Sequence, residues 1–108
     1  MISETLHASC VAVDGRGLLV LGPSGAGKSA LAIRLIALGA LLVSDDRTRL
    51  IARDGRLEAS CPSPALHGLV EARGLGILRA PWVEAAPLEL VIDLGRPETD
   101  RLPPSRTV

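Results

Sequence analysis

Aromatic residues are almost missing from this sequence of 108 residues, which has no Phe, no Tyr and a single Trp, Trp82. Twelve basic residues are balanced by twelve acidic ones, so the formal net charge is zero. A nucleic-acid-binding surface usually combines a basic patch with rings that stack on bases. The sequence has neither feature, and we therefore expect no nucleic-acid partner.

Long apolar runs are missing as well. The longest apolar stretch is far shorter than the roughly 20 residues that cross a bilayer as a helix. The first ten residues, MISETLHASC, lack both the basic start and the apolar core of a secretory signal. These absences predict a protein without a membrane association and with a cytoplasmic location.

Cysteine is scarce, since only Cys10 and Cys61 occur, without a C-x-x-C pair or clustered histidines. This pattern favours two small buried apolar side chains over a metal site or a disulfide. Apolar residues, in contrast, make up 47% of the chain, which is enough for a packed core. The length predicts a single domain over residues 1–108.

One segment, GPSGAGKS at 22–29, fits the phosphate-binding pattern G-x-x-x-x-G-K-[ST] at every defined position. It follows an apolar strand candidate and precedes an amphipathic helix, the context in which backbone N–H groups bind phosphate. Lys28 is the only lysine among twelve basic residues, and a compact ammonium fits between phosphate oxygens better than a guanidinium. We predict a nucleotide site with the Ser29 hydroxyl on Mg²⁺, formed by Gly22, Pro23, Ser24, Gly25, Ala26, Gly27, Lys28 and Ser29.

The periodicity along the chain predicts an α/β fold with a mixed sheet. Two Asp-Gly pairs, at 14–15 and 54–55, are strong hairpin signals between alternating segments. Gly39 is expected to end a helix over 28–38 that has Leu31, Leu35 and Leu38 on one face. A strand–loop–helix–strand order over 17–46 predicts a βαβ unit with parallel strands. The predicted strands are 4–13, 17–22, 40–46, the two arms of a hairpin over 48–60, a segment from 69, and 87–95.

Two adjacent acids, Asp45 and Asp46, close the strand that follows the helix. Because parallel strands end at the same sheet edge, both carboxylates should face the phosphate-binding loop. One can support the metal, while the other takes a proton from an incoming nucleophile. The alternative is a solvated turn before the next strand.

His7 is a candidate through hairpin geometry. A two-residue turn at Asp14-Gly15 places His7 opposite Gly22, and a four-residue turn places it opposite Ser24. Either register leaves the imidazole at the phosphate-binding loop, although a lone strand histidine is more often a packed or surface residue. His67, by contrast, looks like loop surface.

Glu71 and Arg73 lie in LVEARGLG, where a strand runs into two closely spaced glycines. Such a segment often brings the backbone near a ligand, and Glu71 could add an oxygen ligand to the metal. An exposed strand glutamate followed by a turn is an equally good reading of the residues alone.

Taken together, these segments resemble the catalytic domain of HPr kinase/phosphorylase, the bifunctional enzyme of the bacterial phosphotransferase system. The matching pieces cover nearly the whole chain: LHAS with His7, GPSGAGKS, LLVSDD, VEARGLGIL, and LELVIDLG with DRLP near the end. The short spacing between the loop and the acids is unusual among P-loop proteins. VEARGLGIL is the most specific piece.

The resemblance implies a P-loop kinase domain of the phosphoenolpyruvate carboxykinase-like type that uses ATP and Mg²⁺ to phosphorylate a serine of the carrier protein HPr, and that also removes this phosphate by phosphorolysis. Carried over by position, the catalytic residues are His7, Lys28, Asp45, Asp46 and Arg73, with Asp46 as the proton acceptor. Ser29 and Glu71 match the Mg²⁺ ligands. The resemblance also implies a homo-oligomer, a hexamer.

The family continues beyond the point that corresponds to Val108, into a loop and helices with a catalytic arginine. We expect either an incomplete piece or a protein with impaired phosphorolysis. Two other functions stay open: a small-metabolite P-loop kinase, disfavoured because no lid over the site is evident, and a nucleotide-sensing module without turnover.

Overall fold

A computed structural model describes residues 3–95 of the chain. The described part is a mixed α/β fold, as predicted, and its helices include none long and apolar enough to cross a membrane. DRLP at 100–103 lies outside the described residues. The strands are β1 (Ser3–Leu6), β2 (Ala8–Val13), β3 (Arg16–Leu21), β4 (Leu41–Ser44), β5 (Thr48–Arg53), β6 (Arg56–Ser60), β7 (Leu69–Ala72), β8 (Gly76–Arg79) and β9 (Ala85–Asp93), with α1 (Lys28–Ala37) and a 3₁₀ turn (Pro64–Leu66).

Seven strands form one sheet in the order β1-β5-β6-β9-β3-β2-β4. β9 runs parallel to β3, and the other neighbouring strands run antiparallel. Because β2 is antiparallel to both β3 and β4, these two strands point the same way. The predicted βαβ unit is therefore correct in direction, but its two strands are separated by β2.

Both Asp-Gly pairs form hairpin turns, as predicted, and each turn has two residues. The φ angles are 52° at Asp14 and 78° at Gly15, and 53° at Asp54 and 77° at Gly55. Positive φ at both central residues is the type I′ geometry, whose twist matches that of the flanking strands. Val13 pairs with Arg16 in the first hairpin, so of the two alternative registers the structure has the one with a two-residue turn.

The strand predicted over 4–13 is instead broken at His7, which lies at a bend. Before the bend, Leu6 pairs with Thr48 of β5, and after it Cys10 pairs with Ser44 of β4. The connection from β1 to β2 and the connection from β4 to β5 therefore run side by side across one corner of a curled sheet. At this corner, residues 7–9 meet residues 45–48.

The helix packs on the sheet through a different face from the one predicted. Ala32 is fully buried, with Ile33, Leu35 and Ile36 packed around the same cluster. Leu38, expected on the inner face, is 84% exposed. The cause is that the helix ends at Ala37 and the chain turns away at Gly39, whose φ is 113°.

The sequence alternates apolar and acidic residues along β9, which would place Leu88, Leu90 and Ile92 on one face. They do not share one face, because the pairing with β3 shifts register between Gly17↔Leu88 and Leu18↔Leu90. Leu90 is 59% exposed as a result. The strand predicted from residue 69 ends at the two glycines, as β7 does, and the structure adds β8, which pairs with β7 as a hairpin.

Cys10 and Cys61 are both free thiols, but in different environments. Cys10 is fully buried in the core, and this burial raises the pKa of its thiol to about 12. Cys61 is half-buried, and its thiol donates to the carbonyl oxygen of Ser63.

We expect a thiol-alkylating reagent at pH 8 to modify Cys61 in the native protein and Cys10 only after denaturation, because the thiolate is the reactive species. Mass spectrometry of the native and urea-treated protein measures this, with Cys61→Ala as the control in which native labelling disappears. Rapid native labelling of the Cys61→Ala variant would contradict the assignment of Cys10 to the core.

Candidate functional site

The glycine-rich loop, residues 22–27, connects β3 to α1. Its backbone needs glycine at Gly25 and Gly27, where φ is 85° and 102°, because this region strains residues that carry a Cβ. Gly27 is the N-cap of α1, which has no side-chain cap. The first N–H groups of the helix are thus available to an anion.

Lys28 begins α1 and is buried, with 5% of its surface exposed. Its ammonium donates to the carbonyl oxygens of Gly22 at 2.8 Å and Pro23 at 3.2 Å. These bonds offset the cost of burying the charge. They also hold the side chain back against the loop, so the only lysine of the sequence lies where a phosphate on the loop would contact it.

The carboxylate of Asp45 accepts hydrogen bonds from three different elements. Its Oδ1 accepts from the Ser29 hydroxyl of α1 at 2.7 Å and from the Ser9 hydroxyl of β2 at 2.9 Å. Its Oδ2 accepts from the backbone N–H of Glu71 in β7 at 3.0 Å. Asp45 therefore ties the helix, the sheet and the β7–β8 hairpin together at one point.

Asp46 differs from its neighbour. Its φ is 67°, in the left-handed region, and its side chain is 56% exposed. The backbone is held from both sides, since the Asp46 N–H donates to the Ser9 hydroxyl at 3.1 Å and the Asp46 carbonyl accepts from the Ala8 N–H at 3.0 Å. The exposed carboxylate lines the same cleft as Lys28.

His7 lies at the bend between β1 and β2, one position past the last described pair of the first hairpin, Ala8↔Leu21. Its imidazole Nδ1 is 3.9 Å from Oδ1 of Asp46, and 62% of the side chain is exposed. The hairpin register thus predicted the neighbourhood, and the structure adds that the imidazole faces the second acid.

Glu71 and Arg73 lie on β7 and just after it. Both line an open cleft of about 580 Å³ together with residues from the glycine-rich loop, α1 and Asp46. A Cβ added at Gly25 would lie 3.6 Å from the Arg73 guanidinium, so this cation sits over the loop. The structure therefore brings the candidates His7, Lys28, Ser29, Asp45, Asp46, Glu71 and Arg73 to one region, and leaves His67 outside it, stacked on Trp82 at 4.3 Å.

Sequence reasoning missed Ser9 as a site residue. Its side chain is fully buried and contacts both acids, through the carboxylate of Asp45 and the backbone of Asp46. A signal was available, because Ser9 is a hydroxyl residue inside an apolar strand, two positions after His7. A buried hydroxyl needs a partner.

The donor set of this site fits Mg²⁺. Within residues 3–95, no three His, Cys, Asp or Glu side chains are grouped to hold a metal by themselves. The hydroxyl of Ser29 and the carboxylate of Asp45 are hard oxygen donors next to each other, and Glu71 lines the same cleft. One or two protein oxygens completed by substrate phosphates is the arrangement that Mg²⁺ commonly takes.

Comparison with known proteins gives this geometry a context. Residues 2–98 match the family model of the HPr serine kinase C-terminal domain. The chain belongs to this family. Among solved structures, the HPr(Ser) kinase/phosphatase from Coxiella burnetii matches with a TM-score of 0.81 and 34% sequence identity, covering 94% of this chain and 65% of that one.

Curated relatives of the HPr serine kinase family match part of the chain. The HPr kinase/phosphorylase of Bordetella pertussis is 45% identical over 77 residues, and that of Limosilactobacillus reuteri is 39% identical over 75 residues. These matches cover 70% and 69% of this chain, but only 25% and 23% of the relatives. The matched part thus spans about a quarter of the length of these relatives.

The two acids give a matched pair of variants. We expect Asp45→Asn to lower the free energy of unfolding by about 1–3 kcal/mol, because the three hydrogen bonds lose their charged acceptor. Asp46→Asn should change it by less than about 0.5 kcal/mol, since its side chain is exposed and Asn tolerates positive φ. Urea unfolding followed by circular dichroism measures both, and equal losses would contradict the different roles of the two carboxylates.

Proposed function

We propose that this chain is a single P-loop kinase domain of the phosphoenolpyruvate carboxykinase-like type, which transfers the γ-phosphoryl group of ATP to a serine of HPr. The observation that carries the proposal is the arrangement in one cleft of a buried lysine on a glycine-rich loop, an Asp45–Ser29 pair and an exposed second acid, Asp46. The family, whose members include HPr kinase/phosphorylases, supplies the substrate.

The glycine-rich loop and Lys28 would bind the β- and γ-phosphates. The ammonium would exchange the Gly22 and Pro23 carbonyl oxygens for phosphate oxygens, which are stronger partners for its charge. Ser29 and Asp45, with Glu71, would hold Mg²⁺, and the ion when bound would offset the negative charge of the phosphates. Arg73, above the loop, adds a second cation to the transferring group.

Asp46 is the proposed general base. The serine oxygen of the acceptor attacks the γ-phosphorus in line, the bond from phosphorus to the oxygen of ADP breaks, and the serine proton goes to the Asp46 carboxylate. The exposure of this carboxylate allows a protein acceptor to reach it. His7, at 3.9 Å, would orient the base or the phosphate.

The same groups can work in reverse, and we extend the proposal to phosphorolysis. Inorganic phosphate gives its proton to the Asp46 carboxylate and attacks the phosphoserine, the phosphorus–serine oxygen bond breaks, and Asp46 passes the proton to the leaving serine oxygen. The products are the unmodified serine side chain of HPr and pyrophosphate. We further propose a cytoplasmic location and a homo-oligomer, a hexamer, on the strength of the family resemblance.

The deciding experiment is incubation of the purified protein with γ-labelled ATP, Mg²⁺ and purified HPr. Transfer of the label to one serine of HPr, identified by mass spectrometry, supports the proposal. Label transferred instead to small molecules of a cell extract would indicate a metabolite kinase. ATP binding without transfer to any acceptor would indicate a nucleotide-sensing module, and both of these outcomes would overturn the proposal.

We expect Asp46→Asn to reduce transfer at least about 100-fold, because the amide has no basic oxygen for the serine proton. ATP affinity, measured by isothermal titration, should stay within about twofold, since the side chain does not touch the glycine-rich loop. Glu84→Gln, on an exposed residue outside the cleft, is the matched control and should transfer normally. Normal transfer by the Asp46 variant would remove Asp46 as the base.

A further inference from the structure

Ser9 makes a hydrogen bond to each of the two acids. Its hydroxyl donates its single proton to Oδ1 of Asp45 at 2.9 Å and accepts from the N–H of Asp46 at 3.1 Å. A serine hydroxyl can do both at once, because it has one donor and two acceptor positions. One buried side chain therefore connects the carboxylate of one acid to the backbone of the next.

The backbone that Ser9 holds is a strained one. Asp46 has a φ of 67°, and a residue with a Cβ pays a conformational cost in this region unless its surroundings fix it. The Asp46 carbonyl is fixed by the N–H of Ala8, and its N–H is fixed by Ser9. Both restraints come from the start of β2, so this strand determines where the Asp46 carboxylate points.

The hydrogen bond from Ser9 to the Asp45 carboxylate has a separate effect. Oδ1 of Asp45 is shared between the hydroxyls of Ser9 and Ser29. When Ser29 turns toward another partner, Ser9 remains as a donor to the same oxygen. The orientation of the Asp45 carboxylate is thus maintained independently of the helix.

From this geometry we propose that Ser9 is a positioning residue of the phosphoryl-transfer site, which fixes the direction of the Asp46 carboxylate through the left-handed backbone and keeps Asp45 aligned with Ser29. The proposal rests on the proposed function above. Ser9 itself does not touch the substrate, since its side chain is fully buried, and it acts through the two acids.

Thr48 provides the matched control. Its side chain is also fully buried at the same corner, and its hydroxyl donates to the Ala8 carbonyl oxygen at 2.8 Å. Thr48→Val removes one buried hydroxyl without changing the shape of the side chain, just as Ser9→Ala removes one. A general effect of losing a buried hydrogen bond should appear in both variants, whereas a positioning effect should appear only in Ser9→Ala.

We expect Ser9→Ala to lower kcat for transfer from ATP to HPr by about 10- to 100-fold, with the KM for ATP within about twofold. Thr48→Val should keep kcat within about threefold. Both variants should lower the melting temperature by about the same amount, a few degrees. Ser9→Thr, which restores the hydroxyl, should recover most of kcat. If the added methyl prevents folding, the comparison of Ser9→Ala with Thr48→Val decides alone, and equal kcat values in these two variants would overturn the proposal.

Amide hydrogen exchange separates this inference from the proposed function. The Asp46 amide should exchange at least about tenfold faster in Ser9→Ala than in the wild type or in Thr48→Val, because its acceptor is gone. Failure of the wild type to phosphorylate HPr would refute the proposed function. Unchanged Asp46 exchange would refute the role of Ser9, whatever the activity.

Discussion

The triple hydrogen bonding of the Asp45 carboxylate is the interaction on which the site depends. Ser29 reaches it from the helix, Ser9 from the sheet, and the Glu71 N–H from the β7–β8 hairpin. Ser29 and Glu71 line the cleft, and Ser9 contacts Asp46, which lines it as well. A single anionic side chain thus sets the distance between the glycine-rich loop, the second acid and the hairpin that carries Glu71 and Arg73.

Asp45 and Asp46 are adjacent in the sequence but lie in opposite environments. Asp45 points inward and has its carboxylate occupied by donors, whereas Asp46, in the left-handed region, turns its carboxylate toward the cleft and His7. The change of backbone conformation between them separates a hydrogen-bonded carboxylate, for which we propose a metal-supporting role, from an exposed one, which we propose as the proton acceptor. Two neighbouring aspartates can therefore take different roles in one site.

Much of this arrangement could be predicted from local signals. The Asp-Gly pairs determine two hairpins, because few other dipeptides adopt positive φ at both positions, and the first hairpin carries His7 to the glycine-rich loop. The direction of β4 followed from the helix between two strands. These features depend on residues close together in the sequence.

The features that were mispredicted depend on contacts between distant residues. The bend at His7 exists because β1 pairs with β5 while β2 pairs with β4, and nothing in residues 4–13 alone indicates a change of partner. The insertion of β9 between β6 and β3 and the register shift beside Leu88 are likewise properties of the assembled sheet. Ser9 was missed for the same reason, since its partners lie 36 and 37 residues away.

The corner where residues 7–9 meet residues 45–48 also bears on the order in which the parts of the site form. Its contacts span 36 to 40 residues of sequence, so closing them costs more chain entropy than forming either local hairpin, and they are expected among the later steps of folding. A partly folded chain can already have the glycine-rich loop and helix, and hence an anion site, before the acids are in place. The proposed phosphoryl transfer would become available only when the sheet has closed, so that activity would depend on completion of the native topology.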